Sequence, residues 1–321
     1  MTLTPIRQTL LTLLSDGQFH SGEQLGEQLG ISRAAVSKHM AALKGLGLDL
    51  FSLTGKGYRL AVPMALYDQQ QLQVLAPMAP VHCFPIIGST NQFLLDRVST
   101  LTSGECCLAE SQTAGRGRRG KPWVSPFGCQ LLLSMYWRLE QGMAAAMGLS
   151  LAVGVAVVQA LTSLGYPGVE LKWPNDLYYQ GRKLAGILVE MSGSAGASCN
   201  LVIGVGLNLA MPQQEGVRID QAWAELRHIN PELVDRNQLA ARTMIYLQQA
   251  MQTFEQSGLT SFVAAWNQLD HFAGRPVRLL MGDQEIRGVA RGIDDRGALR
   301  LETDEGIKYY LGGEISLRRG D

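Results

Sequence analysis

Seven consecutive residues, Gly115-Arg116-Gly117-Arg118-Arg119-Gly120-Lys121, hold four cations and three glycines. So much charge on so little side-chain bulk makes neither a core nor a stable helix. It makes a loop able to close on an anion, offering backbone N–H groups and guanidinium forks as donors. A solvated basic loop is the plain alternative. The glycine spacing also fits a dinucleotide fingerprint, but that motif needs a helix straight after it, and Pro122 and Pro126-Phe127-Gly128 forbid one here.

Further along, Lys172-Trp173-Pro174-Asn175-Asp176 puts a lysine at a strand end, then a turn with an amide and a carboxylate. Such a set suits phosphate charge together with a metal ion or an amine. Lys183 opens an apolar run, Leu184 to Val189, and is as readily a surface lysine at a strand start as a site residue. Gly88-Ser89-Thr90-Asn91 precedes a predicted helix and reads first as a cap. Gly204-Val205-Gly206-Leu207-Asn208 is a strand whose glycines would let a ligand approach its backbone closely. Together these segments could supply polar, anionic and cationic contacts in one pocket. The histidines, His20, His39, His82, His228 and His271, fall outside the motifs, and neither a nucleophile–base set nor metal-ligand spacing emerges. The chemistry this favours is phosphoryl or nucleotidyl transfer by positioning and charge neutralisation.

The elements that must hold these residues fall into three regimes. Ile6, Leu10, Leu13 and Leu14 share one helical face, Ser21 can cap a short helix to Leu29, and Ser32 a second to about Lys44. Phe51 to Leu60 reads as a hairpin turning at Gly55 and Gly57. Three helices and a hairpin predict a winged helix-turn-helix over residues 1–62. Ser32, Arg33, Ser37 and Lys38 lie on the outer face of its second motif helix, where DNA would be met, with Lys56 and Arg59 on the wing. A protein-interaction module of the same fold is the alternative. Residues 67–270 mix strands (Cys106–Glu110, Gln130–Arg138, Val169–Trp173, Lys183–Met191, Leu201–Asn208) with helices (Met147–Leu164, Leu239–Ser257), which predicts a mixed sheet backed by helices. Residues 271–321 carry short strands between turn signals, as in a small SH3-like β-barrel.

Bulk numbers narrow the class. The chain has 321 residues, enough for two or three domains of about 100–150 each. Its 28 basic and 28 acidic side chains cancel, so any pull on nucleic acid must come from a local patch. The five cysteines include no C-x-x-C pair, which fits a reducing compartment. No charge occurs from Gln141 to Val169, yet Ser150, Gln159, Thr162 and Ser163 interrupt that stretch. A helix buried against a sheet is expected there, not a membrane span. The N-terminus lacks a signal-peptide pattern, and a cytoplasmic location is expected.

In order, Gly88-Ser89-Thr90-Asn91, Gly115–Gly120, Lys172–Asp176 and Lys183–Leu188 resemble the motifs of the biotin protein ligase family. The resemblance covers essentially the whole chain and points to the bifunctional branch that also represses transcription. It implies an α+β architecture: a winged helix-turn-helix, a mixed-sheet ligase domain similar to class II synthetases, and the C-terminal barrel. It implies that biotin and ATP give biotinyl-5′-AMP, from which a lysine of a biotin carboxyl carrier protein takes the biotinyl group. Ser89, Thr90, Asn91 and Gln112 would hold the biotin head group, with Gly115, Gly117 and Gly186 against the ligand. Arg116 and Arg118 would face carboxylate and phosphate, and Lys183 would neutralise charge during attack. Lys172, Asn175 and Asp176 would serve ATP and Mg²⁺ or position the incoming lysine, and Trp123, Asn208 and Trp223 would line the adenylate pocket. The resemblance further implies operator DNA as a partner and a homodimer when biotinyl-AMP is bound. Polar residues between Pro212 and Gly216 suggest modest coupling between ligand and dimer.

Overall fold

Two serines start the DNA-binding-like segment. In the computed structural model the Ser21 hydroxyl accepts from Gln24 N, and Gln24 returns a bond to the Ser21 backbone, closing a capping box on α2 (Gly22–Leu29). Ser32 caps α3 (Arg33–Gly45) by accepting from Ala35 N. With α1 (Pro5–Leu14) and the hairpin β1 (Leu50–Leu53) and β2 (Gly57–Leu60), they form the predicted winged helix. Gly57 is obligatory: its φ is +100°, and a Cβ there would fall 2.0 Å from the His20 carbonyl oxygen. The structure describes residues 3–61, 64–193, 198–211, 221–232, 235–281, 284–311 and 315–319.

A seven-stranded sheet organises the middle of the chain. Its strands are β3 (Val81–Ile87), β4 (Cys106–Gln112), β5 (Gln130–Leu139), β6 (Glu170–Lys172), β7 (Asp176–Tyr179), β8 (Arg182–Ser192) and β9 (Cys199–Asn208), in the order β3-β4-β5-β9-β8-β7-β6. β3 and β4 run parallel and the other neighbours antiparallel, so the sheet is mixed, as expected. Period-two alternation then divides its faces. Leu131, Leu133, Met135 and Trp137 of β5 and Leu201, Ile203, Val205 and Leu207 of β9 enter the main core. The alternate residues, Gln130, Leu132, Ser134, Gly204, Gly206 and Asn208, face the opposite side.

The charge-free stretch becomes α6 (Leu149–Ser163), whose Leu149 to Leu161 segment is buried on nearly every side. Burial all round explains a helix without an amphipathic stripe. Among the described residues no helix is long and apolar enough to cross a membrane. α7 (Arg236–Ser257) and α8 (Thr260–Leu269) pack with it, and α4 (Gln69–Leu75) lies against α7 and β3. α5 (Thr90–Leu95) covers the other face with a small cluster of Leu94, Cys107, Tyr136 and Val202.

The C-terminal strands β10 (Pro276–Met281), β11 (Gln284–Ile293), β12 (Leu299–Thr303), β13 (Gly306–Tyr310) and β14 (Ile315–Arg319) pair in the order β13-β12-β11-β10-β14. The terminal strands of this order do not pair with each other among the described residues, so the SH3-like unit is an open five-stranded sheet and not a closed barrel. It shares the main core: Val277, Leu279, Ala290, Ile293, Leu299 and Leu301 belong to the same apolar cluster as α6. The winged helix keeps its own core, into which Ile86 of β3 and Phe127 also insert.

Candidate active site

The polar face of the sheet, the start of α5 and the arginine–glycine loop enclose a pocket of about 830 Å³. Ser89, Thr90, Asn91, Gln112, Arg116, Gly117, Arg118, Trp123, Lys172, Asn175, Asp176, Lys183, Gly186, Asn208 and Trp223 all line it, which brings together every ligand-site residue the sequence singled out except Gly115. Gly115 stands just behind this lining, buried against Gln112 and the Trp123 carbonyl.

One end is a network of short polar side chains. Ser89 caps α5, accepting from Gln92 N at 3.3 Å. Gln112 Oε1 accepts from Thr90 N at 2.8 Å and Thr90 Oγ1 at 3.1 Å. The Ser134 hydroxyl lies 2.5 Å from Asn91 Oδ1 and 2.7 Å from Thr90 Oγ1. Asn91 Nδ2 donates to Glu190 Oε2 at 2.8 Å. With its oxygen and its nitrogen both engaged by protein, Asn91 shapes the pocket floor more than it offers a contact. Gly204 makes room for it, since a Cβ at Gly204 would lie 2.4 Å from Asn91 Oδ1.

The loop folds back on itself. Gly117 N donates to Lys121 O at 2.7 Å and Trp123 N to Gly115 O at 2.9 Å, around a single 3₁₀ turn at Arg118–Gly120. No helix follows the glycines, which agrees with refusing the dinucleotide reading. Arg116 Nη2 donates to Gln92 Oε1 at 3.0 Å and lies 3.3 Å from Glu190 Oε1. Arg118 Nη1 donates to Asn175 Oδ1 at 3.1 Å. Burial, reinforced by neighbouring Arg119 and opposed by Asp176, lowers the pKa of the Arg118 guanidinium.

Trp123 forms the wall between loop and sheet. Its indole lies over Gly206 and Gly186, where a Cβ would approach the ring to 2.7 Å and 3.2 Å. Those glycines admit an aromatic side chain of the protein itself to the strand backbone, where the sequence suggested the approach of a ligand at Gly204 and Gly206. The indole N–H donates to Gln130 Oε1 at 3.2 Å, Gln130 Nε2 to Asn208 Oδ1 at 2.8 Å, and Asn208 Nδ2 to Ala224 O at 2.9 Å. Lys183 Nζ sits 5.5 Å from the indole centroid and 2.9 Å from Asp176 Oδ1. Its backbone also pairs with the segment carrying Trp223, through Lys183 N to Ala222 O and Ala224 N to Lys183 O. Lys172 is buried and donates to the Tyr178 hydroxyl at 2.8 Å.

Sequence reasoning passed over Gln130, Ser134, Tyr178 and Glu190. Gln130 and Ser134 had a signal, being polar residues in an apolar strand at the period that faces away from the core. Tyr178 and Glu190 gave none, because their neighbours are set by pairing of distant strands. The Pro212 to Gly216 segment lies outside the described residues, and Met211 beside it is buried.

On the winged helix, Ser32, Arg33, Ser37 and Lys38 are all exposed while Val36 and Met40 point inward. Lys56 is exposed at the wing tip. Arg59 is instead clasped by aromatic rings, its guanidinium carbon 5.1 Å from the centroids of both Phe19 and Phe51.

Known proteins agree with this organisation. Residues 83–208 match the biotin/lipoate A/B protein ligase family, residues 272–318 the biotin protein ligase C-terminal domain, and residues 6–59 an HTH domain. The fold and pocket are thus those of a biotin-type ligase joined to a helix-turn-helix. The chain is 52% identical over 318 residues to the bifunctional ligase/repressor BirA of Salmonella typhimurium, covering 99% of both chains. It is 52% identical to that of Escherichia coli over 312 residues, 97% of both. Among solved structures it resembles the biotin protein ligase from Aquifex aeolicus in complex with biotin and ATP, with a TM-score of 0.66 and 28% identity over 75% of this chain and 99% of that one. The chain belongs to the family of bifunctional biotin protein ligases and repressors.

Proposed function

We propose that this pocket joins the carboxylate of biotin to the α-phosphate of ATP. The chain is a biotin protein ligase and a DNA-binding transcriptional repressor. In the first step a biotin carboxylate oxygen attacks the α-phosphorus and pyrophosphate leaves. In the second, a lysine amine of a biotin carboxyl carrier protein attacks the biotinyl carbonyl and AMP leaves. The observation that carries the reading is the convergence of Lys183, Arg116 and Arg118 on a pocket that also presents Ser89, Thr90 and Gln112.

Carboxylate and phosphate repel, so cations preorganised between them lower the barrier. Lys183, between Asp176 and the Trp123 face, is fixed at the sheet where that charge would develop. Arg116 and Arg118 ride on the loop, which can close over the mixed anhydride and keep water from it. Gln112 commits its oxygen to Thr90, and its amide nitrogen lies by Gly115 at the end we assign to the biotin head group. Lys172, Asn175 and Asp176 are assigned to the ATP phosphates, and Trp123, Asn208 and Trp223 to the adenylate. Mg²⁺ would enter with ATP. Asp176 is the carboxylate among the described lining residues that would meet it, and those residues form no cluster of three or more metal-ligating groups. Pyrophosphate release that needs both biotin and ATP tests the assignment, and release indifferent to biotin would reject it.

The regulatory reading uses the same chemistry. Ser32, Arg33, Ser37 and Lys38 would meet operator DNA in the major groove, and biotinyl-5′-AMP would act as corepressor of biotin synthesis in the cytoplasm. One winged helix makes few base contacts, so specificity calls for a homodimer on a two-fold operator. The dimer would come from the ligase domain, residues 67–270, between the DNA-binding residues 1–62 and the C-terminal 271–321. Ligand can tighten it only through differential affinity for monomer and dimer. Sedimentation and operator binding without ligand, with biotin, and with biotin plus ATP test this. Identical results in all three conditions reject it.

A further inference from the structure

The pocket holds two buried or nearly buried lysines, and they are anchored by different chemistry. Lys183 meets the carboxylate of Asp176. Lys172, on the last residue of β6, meets the phenol of Tyr178, two residues into β7. The β6–β7 pairing sets this contact up: Lys172 is opposite Asp176 and Glu170 is opposite Tyr178, so Tyr178 sits one diagonal step from Lys172 on the same face. The ammonium takes both parts of the residue, lying 2.8 Å from its hydroxyl oxygen and 4.8 Å from its ring centroid. A flexible four-carbon stem is thereby held in one geometry at the pocket wall, which Tyr178 also lines.

The ring is itself braced from outside the sheet. His271, in the segment leading from α8 into β10, packs its imidazole against Tyr178 at 5.4 Å between centroids. The imidazole Nδ1 in turn lies 2.7 Å from Glu170 Oε2, on the strand that carries Lys172. Phe272 also meets the imidazole edge-on at 4.7 Å between centroids, and the His271 N–H donates to Leu171 O at 2.8 Å. A residue at the threshold of the C-terminal sheet therefore reaches the pocket cation through a single intervening ring.

We propose that Tyr178 is the positioning residue for Lys172 during adenylation, and that His271 fixes the Tyr178 ring for that task. This rests on the assignment of Lys172 to the ATP phosphates. A hydroxyl-to-ammonium bond in a buried setting is a charge-assisted contact, and its loss frees the ammonium to sample other rotamers. The consequence falls on ATP and spares the biotin head group, which lies at the Ser89–Gln112 end.

The test uses the full chain with the substitutions Y178F, H271A, K172M and the double variant K172M/Y178F. Pyrophosphate release is measured against ATP concentration, biotin affinity by titration without ATP, and folding by thermal melting. Y178F keeps the ring and loses only the hydroxyl. It should lower kcat/KM for ATP by about tenfold while leaving biotin affinity and melting near wild type. H271A should give the same ATP-selective pattern at a few-fold. The double variant should be no slower than K172M alone, because Tyr178 acts through Lys172. Wild-type ATP kinetics in Y178F beside a slow K172M would overturn the inference, as would additive losses in the double variant or equal losses of ATP and biotin binding. Wild-type kinetics in K172M would instead overturn the assignment of Lys172 itself, and the inference with it.

Discussion

The proposed recognition face and the pocket of this protein are built in opposite ways. Ser32, Arg33, Ser37 and Lys38 come from one turn-and-helix segment, and each side chain stands exposed with little dependence on the others. The pocket is assembled from α5, β4, the arginine–glycine loop and β5 through β9, and its residues lean on one another: Trp123 on Gln130, Gln130 on Asn208, Asn208 on Ala224. The first kind of site loses function in increments as contacts are removed. The second transmits a local change along its chain of contacts.

The largest test of this contrast is Lys183→Ala. On the proposed role it removes the preorganised charge between carboxylate and phosphate and should cut biotinyl-adenylate formation by at least about 100-fold. Near wild-type adenylation would take Lys183 out of the reaction. Next comes Gly206→Ala, at a pocket-lining position beneath the Trp123 ring. The added methyl would sit 2.7 Å from the Trp123 ring, so the indole must shift and disturb Gln130 and Asn208 with it. The adenylate should bind about tenfold more weakly. Unchanged affinity would mean the wall tolerates what the geometry forbids.

Lys38→Ala probes the incremental site. Operator affinity should fall by only a few-fold at moderate salt, with the salt slope reduced by about one and biotin transfer unchanged. Loss of ligation in that variant would break the separation. The smallest effect is expected at Asp270, whose carboxyl is pushed up to about 6 by burial, assisted by Glu170 and opposed by the Phe272 N–H and Arg275. Its folded pKa lies above the ordinary value of 3.8, so the charged form costs stability in full above pH 6 and the cost fades as pH falls toward 4. Asp270→Asn keeps an acceptor for Phe272 N and should be the more stable form at pH 8, an advantage that vanishes near pH 4. Urea midpoints across that range measure it, and a pH-independent difference would contradict the linkage.

The same contrast explains what could be read from the chain before its structure. Ser21 and Ser32 announce their helices because a cap is a local bond, and the exposed face of α3 follows from helical period alone. The mixed sheet and its strands β4, β5, β8 and β9 followed from apolar runs. β7 was hidden, since Asp176 to Tyr179 is short and becomes a strand only by pairing with β6 and β8. Most motif residues do converge on the pocket, but their partners were less legible. That Asn91 is spent on Ser134 and Glu190, or that Arg59 serves two aromatic rings, depends on contacts between segments far apart in the chain. The openness of the C-terminal sheet was equally out of reach, because the turn signals fix hairpins and not whether the end strands meet.

Ile86 and Phe127 have a further consequence through their insertion among the leucines of the winged helix. Phe127 lies six residues past Lys121, so the apolar anchor of the regulatory head and the cationic loop are stretches of one short tether. A truncated ligase beginning after residue 66 would uncover both side chains to water and leave an oily scar a few residues along the chain from its cationic loop. Such a fragment should be stickier than the parent chain and should loosen where the scar meets the tether. Removing the head would thus alter the enzyme physically before any question of gene control arises.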